Sequence, residues 1–138
     1  MKGRIEVKTA DLTGKTLDWA VAIATKGEVL VYPDGGFCPP EGSVSLNTDD
    51  STLWLNDGER NEEAWSPSTD WAQAGPLIDA NSFEVTKECG GWAAIRERYC
   101  GEPIRWWPEG ETIQVAVCRA IVAAKFGDEV MVPKELVQ

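Results

Sequence analysis

The sequence predicts an α+β fold class, three helices packed on a small, largely antiparallel sheet with the C-terminal helix central. Three observations carry that expectation. The 138 residues fit a single domain, 1–138, and are too few for two comfortable ones. Short alternating or β-branched runs recur along the chain, punctuated by Gly-, Pro- and Asn-rich turns. Residues 111–126 are apolar almost all round, and a helix with no polar face belongs in the interior.

The elements follow in order. Ile5 and Val7 alternate with Arg4, Glu6 and Lys8, the pattern of a short strand or extended arm. Asp11-Leu12-Thr13-Gly14 offers Asp11 or Thr13 as an N-cap, Leu17, Ala20, Val21 and Ala24 share one helical face, and Gly27 supplies the stop. Val29 to Tyr32 is a strand run closed by Pro33-Asp34-Gly35-Gly36. From 37 to 63 the chain is rich in turn formers and reads as an irregular loop insert, with room for a short strand at Leu53-Trp54-Leu55. A second helix opens within residues 65–71, capped by Ser66 with Pro67 at the first helical position, or by Ser68. Gly75-Pro76 predicts a kink or break near residue 74. Phe83 to Thr86 and Trp92 to Ile95 read as strands paired through the turn at Cys89-Gly90-Gly91. The apolar helix runs from Glu111 to Phe126 and ends at Gly127, and Val130 to Leu136 forms a last strand or packs against the rest.

Composition narrows the function classes. With 23 acidic and 13 basic residues the net charge is −10, which disfavours direct nucleic-acid binding and an anionic membrane surface, since both require basic side chains. The same charge keeps a protein soluble, and it suits a basic host protein as partner or a surface that resembles DNA. No apolar run reaches the length of a membrane span, and residues 1–8 lack the apolar stretch of a signal peptide. The four cysteines contain no Cys-x-x-Cys pair, so free thiols in a reducing compartment are expected. Histidine is absent. That removes Ser-His-Asp, Cys-His and His-metal chemistry together, and neither a metal nor any other cofactor is expected. No glycine-rich phosphate loop is present. The expectation is therefore a non-enzyme, with a carboxylate-based nucleotide hydrolase as the enzymatic alternative.

Seven tryptophans exceed what a core of this size needs. Trp19 and Trp92 lie inside regular elements and read as core. Trp71 opens a helix, and Trp106 and Trp107 share a loop with Arg105; aromatics in such places stack on bases or dock partners. Ser68, Thr69 and Asp70 precede Trp71. Their hydroxyls and carboxylate either cap the helix or join its free amides in holding an anion, although Asp70 opposes a bare phosphate. Arg119 stands alone in the apolar helix. It either pairs with a buried carboxylate, Asp18 or Asp70, or floors a pocket and meets a ligand anion.

The block Trp65 to Ile78, WSPSTDWAQAGPLI, resembles the signature of the NinX-like family of tailed-phage proteins, whose domain has no assigned activity. Val7 to Ala24 and Thr112 to Pro133 are similar to that family's opening and closing blocks. The family pattern has Tyr where Trp65 stands, Gly where Ala74 stands, and a Thr-Pro step where Thr112 is followed by Ile113. The resemblance implies a phage-encoded accessory protein acting in the host bacterial cytoplasm and dispensable for building the virion. In that setting the expected function is capture of a small anionic ligand, a nucleotide such as a cyclic nucleotide immune signal, by a sponge-type anti-defence protein. Ser68, Thr69, Asp70, Trp71, Arg105, Trp106, Trp107 and Arg119 would line the site. The alternative is an acidic inhibitor of a host enzyme. Three nearly apolar helices are hard to cover in one small chain, so a homo-oligomer is expected.

Overall fold

The computed structural model describes residues 3–32, 39–59, 61–81, 83–88, 90–96 and 109–137. Its elements are β1 (Arg4–Lys8), α1 (Gly14–Lys26), β2 (Leu30–Tyr32), β3 (Val44–Asn47), β4 (Thr52–Asn56), β5 (Glu62–Ala64), α2 (Trp71–Ala80), β6 (Phe83–Glu88), β7 (Gly91–Arg96), α3 (Ile113–Phe126) and β8 (Glu129–Pro133), with 3-10 turns at Thr9–Asp11 and Lys134–Leu136. The expected α+β class holds, but the described strands form three small sheets rather than one. β1 pairs antiparallel with β8, β6 with β7, and the four-stranded sheet runs β2-β3-β4-β5, parallel only between β2 and β3.

α3 lies at the centre, touching α1, α2, β6, β7 and β8. Val117, Cys118, Ala120, Ile121 and Val122 are buried, and the small side chains among them let α1 approach closely. The Thr112 hydroxyl caps α3 by accepting from the Val115 amide at 3.2 Å. On α1, Leu17, Trp19, Ala20, Val21 and Ala22 are buried, and Gly27 closes the helix at φ 86°. Trp19 is thus core as expected, whereas Trp92 is only partly buried and carries Lys87 over its ring at 5.0 Å.

Three expectations change. The described part of the insert expected at 37–63 is not one irregular loop: it holds β3, β4 and the start of β5, of which only the strand at Leu53-Trp54-Leu55, inside β4, was expected. Val44, Leu46, Leu53 and Leu55 share one face of the β3–β4 pair and Ser45, Trp54 and Asn56 the other, so a core-facing strand pair is built from a segment dominated by turn formers. α2 runs unbroken through Gly75-Pro76. Pro76 lies on an exposed face, where water can satisfy the carbonyl that a Pro nitrogen leaves without a donor. Its predicted start also moves: Asp70, not Ser66 or Ser68, is the N-cap.

Candidate functional site

The family-like segment 65–73 sits where the four-stranded sheet hands the chain to α2, and most of its backbone amides are tied down. Trp65 is buried; its indole N–H donates to the Asp18 carbonyl at 2.9 Å and its amide to the Leu53 carbonyl at 3.0 Å. The Ser66 amide donates to Gln73 Oε1 at 2.7 Å, while Gln73 Nε2 donates to the Ala64 carbonyl at 2.7 Å. One side-chain amide thereby spans two backbone positions, as a neighbouring strand would. Pro67 is fully buried. The Ser68 amide donates to Asp18 Oδ1 at 2.8 Å. Asp70 accepts from the Ala72 amide at 2.8 Å through its side chain, and from the Gln73 and Ala74 amides through its carbonyl.

Asp18 is the electrostatic centre of this lock. It is 4% exposed, and burial pushes its carboxyl up to about 6, against which the Ser68 amide and hydroxyl act to keep it charged. The Ser68 hydroxyl, 3% exposed, faces that carboxyl without making a hydrogen bond of good geometry. From α3 the free Cys118 thiol adjoins the same carboxyl, and burial first, then the Asp18 charge, pushes its ionisation far up.

Of the expected site residues, Ser68, Thr69, Asp70 and Trp71 are brought together by chain continuity, but only part of that group faces solvent. Ser68 points into the protein, and Thr69 is exposed with its hydroxyl donating to the Ser66 carbonyl at 3.3 Å. Trp71 is 51% exposed, the most exposed large apolar side chain among the described residues. Arg105, Trp106 and Trp107 lie outside the described residues. Arg119 is half-buried, and neither expected carboxylate answers it. Its Nε donates to the Leu12 carbonyl at 3.0 Å and its Nη1 to the Glu109 carbonyl. Burial lowers its pKa, and the Glu111 and Asp11 carboxylates push the other way. The side chain ties α3 to the link before α1, which is why a cation stands in an apolar helix.

Sequence reading missed Gln73, Trp65 and Asp18 as the residues that fix this segment. The available signal was weak: a Gln two residues after an exposed Trp, and an acid between Leu17 and Trp19 on a face that is otherwise buried.

Clefts lined by described residues open elsewhere. One, about 480 Å³, lies at the start of α1 and is lined by Asp11, Leu12, Thr13, Gly14, Lys15 and Leu136 among others. Another, about 510 Å³, lies beside β4 and β5. No helix among the described residues is long and apolar enough to cross a membrane.

The described residues form a small α+β protein with three α-helices, whose signature segment is largely locked in place and offers Trp71 outside. This chain belongs to the phage family described as Bacteriophage P22, NinX, whose model matches residues 8–125. No curated protein matches it.

Proposed function

We propose that this phage protein is a non-catalytic binding protein whose partner is another protein, with Trp71 as the anchor. The observation that supports this reading is the contrast at the head of α2: a half-exposed tryptophan on a segment whose Ser66, Ser68 and Ala72 amides are already held by side chains. An aromatic held on a rigid support loses little freedom when it docks, so more of its burial appears as affinity. A small anion is poorly served at the same place. The Ser66, Ser68 and Ala72 amides are answered by Gln73, Asp18 and Asp70, the Asp70 carboxylate adds a like charge, and Arg119 already donates to carbonyls.

A second reading keeps the small anionic ligand, a nucleotide or immune signal, and moves its site. At the start of α1 the Thr13 side chain caps no amide, no acid stands in the first turn, and Lys15 lines the 480 Å³ cleft. The two readings separate in one pair of measurements. A photo-crosslinking amino acid at position 71, expressed in infected cells, is expected to give one discrete protein adduct that the same group at position 125 does not give. A thermal-shift screen with cyclic nucleotides is expected to stay flat. No adduct at 71 together with a large shift, about 2.7 kcal/mol at a hundredfold excess of ligand over its dissociation constant, overturns the protein-partner reading and establishes the other.

A further inference from the structure

β5 is the outer strand of the four-stranded sheet, and its second edge pairs with no described strand. The register places Leu55 opposite Glu63, and the Asp57 amide bonds the Asn61 carbonyl just as the Trp65 amide bonds the Leu53 carbonyl. Antiparallel alternation therefore turns the backbone groups of Asn61, Glu63 and Trp65 toward β4 and those of Glu62 and Ala64 outward. The Ala64 carbonyl is taken by Gln73 Nε2. The Glu62 N–H, the Glu62 carbonyl and the Ala64 N–H remain along the edge, with all three residues of β5 exposed.

Beside this edge lies the 510 Å³ cleft. Leu55 supplies an apolar surface, and Glu41, Asp57, Glu62 and Glu63 supply four carboxylates against one cation, Lys26, whose Nζ stands over the Trp65 ring at 5.7 Å. The Asp57 carboxylate already accepts from the Glu59 and Asn61 amides, which leaves the three glutamates for a newcomer.

We propose that the free edge of β5 and its adjoining cleft are a docking site for an extended, basic segment of a partner protein, which adds as a fifth strand and lays a Lys or Arg across Leu55 toward the glutamates. This deepens the protein-partner reading and rests on it. Charge decides the occupant. A second copy of this chain would set Glu62 and Glu63 against their own kind, and like charges across a strand pair are destabilising. A lysine- or arginine-bearing strand satisfies both the open amides and the acidic cleft, and a long stem covers the apolar floor while its head stays at the carboxylates.

The test uses a synthetic probe, the capped hexapeptide Lys-Val-Arg-Val-Lys-Val, titrated into the full-length protein while backbone amide resonances are followed. Saturable shifts at Glu62 and Ala64 are expected, weakening about tenfold in the exposed double variant Glu62→Lys/Glu63→Lys and in high salt. A peptide N-methylated at alternate residues keeps its charge but cannot pair, and is expected to lose the shifts at Glu62 and Ala64. No shift at these amides at millimolar peptide overturns the proposal, as does equal binding of Glu-Val-Glu-Val-Glu-Val or of the N-methylated probe. A protein adduct at position 71 alongside such a negative titration would sink the edge site and leave the protein-partner reading standing.

Discussion

The Asp18 carboxylate on α1 accepts the Ser68 amide at 2.8 Å, joining residues 50 apart in sequence inside the core. The same residue's carbonyl receives the Trp65 indole, so one helical position holds both ends of the turn that precedes α2. This pair explains why a segment rich in hydroxyls and carrying a proline is nevertheless rigid, and it sets the protein's response to pH.

Asp18 ionises in the fold near 6, above its ordinary 3.8, because burial penalises the charge. A raised carboxyl costs stability progressively as pH rises through those two values, and above them the cost is at most about 3 kcal/mol. Asp18→Asn keeps an acceptor for the Ser68 amide and brings a donor for the Ser68 hydroxyl. It is expected to be the more stable protein at pH 8 and to lose that advantage at pH 4. Thermal unfolding of both proteins across this range checks the difference, and a variant less stable at both ends contradicts it.

Trp65 and Trp71 stand six residues apart and should behave oppositely. Trp65→Ala opens the core and removes an indole donor, at about 3–5 kcal/mol. Trp71→Ala is expected to move stability by about 0.5 kcal/mol or less, since its ring is half exposed. Urea unfolding reads both. A large loss at Trp71 would make it a packing residue and remove it as a docking anchor.

Arg119→Met preserves the stem and removes the donors to the Leu12 and Glu109 carbonyls. A loss of about 1.5–3 kcal/mol in urea unfolding is expected, as for hydrogen bonds made by a charged group. An unchanged midpoint would return Arg119 to the ligand-binding role that its position in the sequence suggested.

Gly110 and Gly75 respond very differently to one substitution. Gly110 exchanges backbone hydrogen bonds with Trp92, at 2.8 and 2.9 Å, and a Cβ there would fall 2.3 Å from the Ala116 amide nitrogen. Gly110→Ala forces backbone apart and is expected to cost about 3 kcal/mol, the upper end of overpacking. Gly75 lies inside α2 with no distant atom near its Cβ position, but Pro76 follows it and its Cδ opposes a Cβ on a helical neighbour, so the two effects offset and Gly75→Ala is expected to move stability by about 0.5 kcal/mol or less. Melting temperatures of the two variants settle it.

The sequence by itself determined what local chemistry controls. The apolar run from Ile113 to Phe126, the face of Leu17, Ala20 and Val21, and the hairpin of β6 and β7 were all legible, because helical period, strand composition and glycine stops act within a few residues. The resemblance around Trp65 to Ile78 located the segment that the fold treats as special. Tertiary structure decided the rest. β3 and β5 were hidden among turn formers, and β4 was legible only at its Leu53-Trp54-Leu55 centre, because each strand is only three to five residues long and gains its stability from its neighbours. Which carboxylate would meet which donor was equally hidden. Asp18 serves Ser68 and not Arg119 because the crossing of α1, α3 and the 65–70 turn brings those atoms within reach, and no spacing in the chain encodes a contact made across 50 residues.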